Sequence, residues 1–399
     1  MIVVGAGPAG LAVSHELGSA GIDHIVLERG RVGQSWRDRW DSFCLVTPNW
    51  YVQLPGGKYA DDDPDGFMLR DEVVAYLERY AGSFGAPILD GIDVTGLRSD
   101  GAGGFVVETS EGQMRTDVIV LATGAFQRPH RPPGTEVPGD VLTMNAEGYT
   151  NADALPAGAV LVVGSGQTGC QIADELQRAG RDVIVACGKA GWAPRRVDGR
   201  DIVSWLVETP FLDHTLDDLP SPLSRLAANF QVSGRDRGQD LHYRTLHANG
   251  VTLTGRLLGS GGGTLCFADD LQESVEWGDA RYADICKLVK DAATERGASP
   301  PDLPEPQPLK VDHLDGIEVS ALGAVVFTSG YRPAYRGWVH FPEAFDDLGF
   351  PIQLDGASTV VPGLYFMGTH FLRKRKSSTL FGMGEDAAVV ARTIADRMK

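Results

Sequence analysis

The chain has 399 residues, too long for one ordinary core; roughly 150 residues per domain implies two or three domains. It is 43% hydrophobic and 22% charged, ordinary for a globular protein, and its net charge of −17 repels phosphate backbones. No apolar run reaches the roughly 18 residues of a membrane helix, so neither nucleic acid nor membrane is an expected partner.

The N-terminus enters a strand and a glycine loop at once, which is not the pattern of a signal peptide. Met1 to Val4 is short for a buried parallel strand, pointing to residues upstream or a late start. The opening IVVGAGPAGLAVSHEL places Gly5, Gly7 and Gly10 directly after a β-branched run and directly before a helical pattern. Gly5 permits the tight turn, Gly7 the approach of a diphosphate, and Gly10 the packing of helix on strand. The free amides of the helix start face the anion. The next strand, HIVLERG, ends at Glu28, whose carboxylate can accept the ribose hydroxyls of an adenosine and repels a 2′-phosphate, so this site prefers FAD or NAD.

DVIVLATGAF, residues 117–126, reads as a buried strand ending at Thr123-Gly124. A second copy of the glycine motif follows in AVLVVGSGQTGCQIADEL, with Gly164, Gly166 and Gly169. Its next strand, DVIVACGKAGWAPRR, has no acid where Glu28 stands in the first copy. Lys189, Arg195 and Arg196 could bind a 2′-phosphate there, so the second site reads as one for NADPH. Two dinucleotide folds in one chain imply hydride passing from nicotinamide to flavin. AVVFTSGYRP closes the second fold at Ser329-Gly330, as Thr123-Gly124 does the first.

Residues 200–310 fit neither nucleotide fold and read as an insertion covering the two cofactors, with a helix over LQESVEWGDARYADICKLVKDAATERG and a stiff proline-rich connector at 300–308. His214, Arg235, Arg237 and His242 within it, and His370 outside it, are candidate polar groups for the substrate site; a histidine chosen this way is more often structural than catalytic. Near the C-terminus, GLYFMGTHF is a further strand with Gly368 at its end, and Gly382, Gly384, Glu385 and Asp386 begin a final helix. The basic loop Arg373 to Lys376 lies just before it, with Lys376 and Ser377 as candidates for an active-site rim.

The expected fold class is therefore α/β, with two Rossmann-like dinucleotide-binding domains. The FAD domain is discontinuous, at 1–150 and 334–399. The NADPH domain is 151–333 and carries a helical or irregular insertion.

These segments resemble the class B flavin monooxygenases: flavin-containing monooxygenases, plant YUCCA enzymes, Baeyer–Villiger monooxygenases and bacterial CzcO-type flavoproteins. GAGPAG, GQSWRDRWDSFCLVTPNWYVQLPG, LATGAF, VVGSGQTG and GWAPRRVDGRD match in order, over nearly the whole chain. The resemblance lays the tryptophan-rich segment along the FAD. The implied FAD contacts are Gly5, Gly7, Pro8, Ala9, Gly10, Glu28, Arg29, Trp36, Trp40, Thr47, Val94, Ala122, Thr123, Gly124, Gly368, Gly382 and Gly384. The NADPH contacts are Gly164, Ser165, Gly166, Gln167, Thr168, Gly169, Lys189, Arg195 and Arg196.

One stretch departs from the family. Its fingerprint is FxGxxxH followed after three residues by an aromatic, and here it reads VPGDVLTMNAEGY. Val137 replaces the phenylalanine, Thr143 the histidine and Glu147 the aromatic; Tyr149 stands two residues late.

The resemblance implies a monooxygenase that oxidises a small molecule at nitrogen, sulfur or a ketone through a flavin C4a-(hydro)peroxide, with molecular oxygen as co-substrate and a homodimer as the assembly to test for. The altered fingerprint keeps two alternatives open: an FAD-dependent oxidase or dehydrogenase, and a non-enzymatic redox-sensing flavoprotein. Cys44, Cys170, Cys187, Cys266 and Cys286 form no CxxC pair or metal-ligand cluster. That argues against a dithiol reductase and against a metal, and for a reducing cytoplasm. No side chain is singled out as catalytic, because the chemistry belongs to the flavin.

Overall fold

The structure is a computed structural model and describes residues 1–227 and 229–399. Its first sheet runs Gln353–Leu354, Ala357–Ser358, Leu364–Phe366, Ile119–Leu121, Ile2–Val4, Ile25–Glu28, Ile88–Asp90 in spatial order. The last five are parallel, with Ile2 opposite both Ile25 and Ile119, and Ile119 opposite Leu364. These short β-branched runs are buried on both faces, as parallel strands require. Both ends of the chain thus share one sheet. The helix Pro8–Ser19 packs on the final helix Met383–Met398, and Val390 and Ile394 of the latter are fully buried.

The second sheet is wholly parallel: Leu142–Asn145, Leu322–Phe327, Ala159–Val163, Val183–Ala186, Thr252–Thr254. It repeats the plan of the five parallel strands of the first. Two of its members lie outside the segments expected for them. Leu142–Asn145, expected with the first domain, is one edge of the second sheet, and Thr252–Thr254, within the expected insertion, is the other. Edge strands have one neighbour and partial burial, so their sequences carry polar residues and lack the continuous apolar run of a central strand.

Paired antiparallel strands Arg128–Pro129 and Tyr331–Arg332 bridge the two halves. The expected helix is present as Leu271–Glu295, burying Val275, Gly278, Tyr282, Ile285 and Val289 at helical spacing. The rest of the insertion is mostly 3-10 turns between Pro210 and Arg237, plus a three-stranded antiparallel sheet built from Leu257–Gly261, Thr264–Phe267 and Gly316–Glu318. No helix among the described residues is long and apolar enough to cross a membrane.

Stacked aromatics anchor the long helix. Trp192 lies flat on Tyr282, with ring centroids 4.1 Å apart, and its indole nitrogen donates to Asp279 at 2.9 Å. His242 leans on the same Trp192 at 4.6 Å, and its Nδ1 is buried without a partner. Burial pushes its pKa down to about 4; Asp240 opposes the shift and Arg244 adds to it. In the unfolded chain the ring titrates near 6.5. Between those values the unfolded state takes a proton that the folded state refuses, so stability falls as pH drops from about 6.5 to about 4 and is unaffected above. In urea unfolding at pH 7 and pH 5, His242 should therefore contribute on the order of 1–2 kcal/mol of the loss, a contribution removed in His242→Asn.

Candidate functional site

Each glycine motif is built around contacts that exclude a side chain. Gly5 has φ +104, and a Cβ there would sit 2.7 Å from the Ala122 carbonyl oxygen. A Cβ on Gly10 would overlap the Gly5 carbonyl itself. Gly7 differs: nothing lies within 4 Å of its Cβ position, so it faces open space where the helix begins. Pro8 at the first helical position has no amide to waste, and Pro8 and Ala9 are buried. Glu28, 7% exposed, ties the loop down: Ala6 N–H donates to Oε2 at 2.8 Å and Gly30 N–H to Oε1 at 2.9 Å. Each oxygen keeps a lone pair for a further donor. Arg29 is exposed beside it. Val94 begins a strand two residues beyond Ile92, whose amide bonds the Glu28 carbonyl at 2.9 Å.

The C-terminal segment closes on this cradle through glycines. Gly368 has φ +70, and a Cβ there would meet the Ala9 Cβ at 2.6 Å. Gly382 packs on the Lys376 carbonyl, and a Cβ on Gly384 would be 2.9 Å from the Gln53 carbonyl. Ala122 is buried and Thr123 exposed, while Gly124, φ +81, again looks onto open space.

The tryptophan-rich segment divides. Trp36 is half-buried, edge-on to Phe43 at 5.8 Å, and Thr47 is also half-buried. Trp40 is 3% exposed and packs into the core of the second half with Tyr149 and Leu241. It is corrected from flavin contact to core staple, because its indole has little surface left to offer.

The second cradle repeats the first. Gly164 has φ +107, with its Cβ position 2.9 Å from the Thr328 carbonyl, and a Cβ on Gly169 would overlap the Gly164 carbonyl. Gly166 caps the helix Gln167–Arg178 in extended conformation, and Thr168 in its first turn is half-buried. Ser165 is buried: its Oγ accepts from Gly188 N–H at 2.9 Å and lies 2.6 Å from the Tyr243 hydroxyl. Gln167 is spent on the insertion, its amide bracketing the backbone of Val232 through an acceptor contact at 3.0 Å and a donor contact at 2.5 Å. The neighbouring Gln231 donates to the Ser165 carbonyl at 2.5 Å. The insertion is thus stitched across the helix start, through partners that no local motif reveals.

Of the three basic residues expected on a 2′-phosphate, Lys189 alone is exposed with neither an ion pair nor a side-chain hydrogen bond among the described residues. Arg196 is exposed but donates to the carbonyls of Gly238 and Arg237, at 3.0 and 2.8 Å. Arg195 is corrected outright. It is 2% exposed, pairs with Asp201, donates to the Val46 carbonyl at 2.8 Å, and has its guanidinium 4.9 Å from the Phe67 ring centroid. A buried cation must be matched where it lies, so it serves the scaffold.

The basic loop is not an open rim either. Lys374 and Lys376 each bind both Asp213 and Glu385 at 2.8–3.0 Å, while Arg373 reaches Asp355, Glu385 and Asp386. Burial alone would raise the Glu385 pKa; the two ammoniums outweigh it and hold the group at about 2. Arg375 lies between Phe211 and Phe371, and its amide donates to the His214 carbonyl at 2.7 Å. Ser377 is fully buried and accepts from the amides of Arg373 and Lys374. Arg225 pairs with Asp346 and stands 3.9 Å from the Phe350 ring centroid. The loop and Arg225 latch the insertion to the first half.

Between the two cradles, Phe126 is 50% exposed, with Tyr331 and His370 edge-on at 5.3 and 5.4 Å and the Arg39 guanidinium at 5.7 Å. His370 Nδ1 is 3.1 Å from Ser378 Oγ. Burial, reinforced by Arg225, pushes its pKa to about 4, so the imidazole is neutral at pH 7. Arg235 and Arg237 lie instead in ion pairs with Asp174 and Asp63. Thr143 occupies the edge strand, its hydroxyl 3.2 Å from the Val141 carbonyl, and Tyr149 is buried with its hydroxyl donating to Glu175 at 2.9 Å. Cys44, Cys170, Cys187 and Cys286 are buried and unpaired.

The pyridine nucleotide-disulphide oxidoreductase family model matches residues 2–216. An uncharacterized CzcO-like oxidoreductase of Geobacillus kaustophilus (strain HTA426) is 30% identical, over 97% of this chain and 95% of its own. A probable indole-3-pyruvate monooxygenase, YUCCA1 of Arabidopsis thaliana, is 26% identical over 100% and 90%. Among solved structures, a variant flavin monooxygenase from Stenotrophomonas maltophilia superposes with a TM-score of 0.69 at 17% identity, covering 100% of this chain and 98% of that one. Paired glycine cradles, the C-terminal return to the first sheet and full-length similarity agree: the chain belongs to the pyridine nucleotide-disulphide oxidoreductases and, within them, to the class B flavin monooxygenase family.

Proposed function

We propose that this protein is a flavin monooxygenase that binds FAD in the first cradle, takes hydride from NADPH held in the second, and oxygenates a small molecule. The observation that carries this reading is the mirrored geometry of the two halves. Strand ends Thr123-Gly124 and Ser329-Gly330 each lead into one of the two paired bridging strands, and both glycines face open space. The residues fit the cofactors. Gly7 leaves room for a diphosphate at a helix start, and Glu28 has lone pairs left for ribose hydroxyls. The strand after the second cradle, Val183–Ala186, leads to Lys189 with no acid in the position of Glu28. These residues would hold FAD, which when bound would supply hydride acceptance from NADPH and transfer of one atom of molecular oxygen to the substrate, the other leaving as water.

The protein's own part is binding, orientation and dryness. The half at 1–141 and 334–399 would hold FAD; the remainder would hold NADPH. The latched insertion keeps water from the junction, where a neutral His370 adds no mobile proton at pH 7. Five unpaired cysteines suit a reducing compartment such as the cytoplasm.

Gly7→Val should leave the apoprotein's thermal midpoint nearly unchanged while flavin occupancy collapses. Gly10→Val should unfold the protein, since its Cβ overlaps a carbonyl. Absorbance ratios at 450 and 280 nm with parallel melting curves check both. Lys189→Ala should raise KM for NADPH roughly tenfold, the value of one charge-assisted contact, and leave KM for NADH unchanged.

Turnover of a thioether under ¹⁸O₂ separates the readings: one labelled oxygen in the product is expected. Label confined to hydrogen peroxide would instead favour an oxidase, the reading that Thr143 in the fingerprint position keeps open.

A further inference from the structure

The bridge between the two halves holds a charge arrangement that the cofactor reading leaves unexplained. Arg128 and Arg332 are directly opposite each other in the antiparallel pair. The amide of His130 bonds the Gly330 carbonyl at 2.9 Å, so His130 continues the same ladder two residues on, on the face of Arg128. Like charges directly across a strand pair are destabilising. In a chain with 53 acidic and 36 basic residues, an acid partner would be easy to supply, yet neither Arg128 nor Arg332 makes an ion pair among the described residues. Arg332 is half-buried and bonds only the carbonyl of its own neighbour, Tyr331, at 2.9 Å. Adjacent Arg131 is satisfied by neutral groups, Asn145 at 2.6 Å and the Phe327 ring, with centroid at 4.6 Å. Burial and the two guanidiniums depress the protonation of His130, and no carboxylate opposes them.

We propose that Arg128, His130 and Arg332 form an oxyanion site that takes the carboxylate or phosphate of the enzyme's small-molecule substrate. Planar guanidiniums match either group with paired donors, and the bound charge would relieve the repulsion that the fold retains. Position distinguishes the source. The 2′-phosphate of NADPH belongs at the end of Val183–Ala186, beside Lys189. The bridge continues from Leu322–Phe327, on the opposite side of Ala159–Val163. It therefore lies toward the nicotinamide and flavin, where substrate must sit. Assignment to substrate rests on the two-cofactor reading; the oxyanion site itself does not.

The test uses flavin-loaded protein and its Arg128→Gln, Arg332→Gln and Arg332→Lys variants. Thermal midpoints are measured against inorganic phosphate, with chloride keeping ionic strength constant. Phosphate should raise the wild-type midpoint, Arg332→Lys should retain part of the response, and either glutamine variant should lose most of it. Without phosphate, Arg128→Gln should melt no lower than wild type, because a repulsion is removed. An equal phosphate response in all proteins, or marked destabilisation by Arg128→Gln, would overturn the site.

A second arm compares methyl phenyl sulfide with 4-(methylthio)benzoate, NADPH being saturating. Arg332→Gln should raise KM roughly tenfold for the carboxylate only. A change in KM for NADPH instead would give the site to the cofactor's diphosphate and overturn the substrate assignment. Turnover of neither sulfide would count against the monooxygenase reading, while the phosphate titration still decides whether the oxyanion site exists.

Discussion

The whole structure hangs on one close approach, made twice. In each half the first helix starts so near the turn before it that a single Cβ, on Gly10 or Gly169, would overlap the carbonyl of Gly5 or Gly164. That contact sets the helix axis against the sheet and points the helix start past the strand ends. Everything else is arranged around the two openings so formed. The strand ends at Thr123-Gly124 and Ser329-Gly330 flank them, Gly368 presses the C-terminal loop against Ala9, and the bridging strands bring the halves face to face.

The insertion ties the two halves together. It is held from both sides: by Gln231 and Val232 across the second helix start, and by Asp213 and Arg225 on the first half. The ionic part joins residues far apart in sequence, Asp213 with Lys374, Lys376 and Glu385. A network of several charges around partly buried groups contributes more than isolated surface pairs do. Tyr51 and Phe381, stacked at 4.7 Å, continue the same seam as apolar contact. Such a seam suits chemistry that must be kept from bulk water.

Two features stand beside the glycine frames. The fingerprint position of the histidine holds Thr143 on an edge strand, its hydroxyl turned to the local backbone. The bridge carries opposed arginines without acids. The first alters the segment that leads into the second cradle. The second charges the junction in a protein that is acidic elsewhere. Both lie where the halves meet, while the two glycine frames stay intact.

The fold class was legible in the sequence because its signals are local: a β-branched run, glycines at fixed spacing, a helical pattern and an acid or its absence at the next strand's end. Both cradles, the return of GLYFMGTHF to the first sheet and the helix Leu271–Glu295 follow from such signals. Edge strands Leu142–Asn145 and Thr252–Thr254 did not, since partial burial leaves no periodic trace. Side-chain assignments divide in the same way. Gly7 and Glu28 are placed by the backbone beside them. The fates of Arg195, Trp40, Gln167 and the loop Arg373–Lys376 depend on partners far away in sequence. Charge and aromaticity can be read from a residue's type, but whether they meet a cofactor, a core or a counter-ion is settled by what the tertiary structure packs against them.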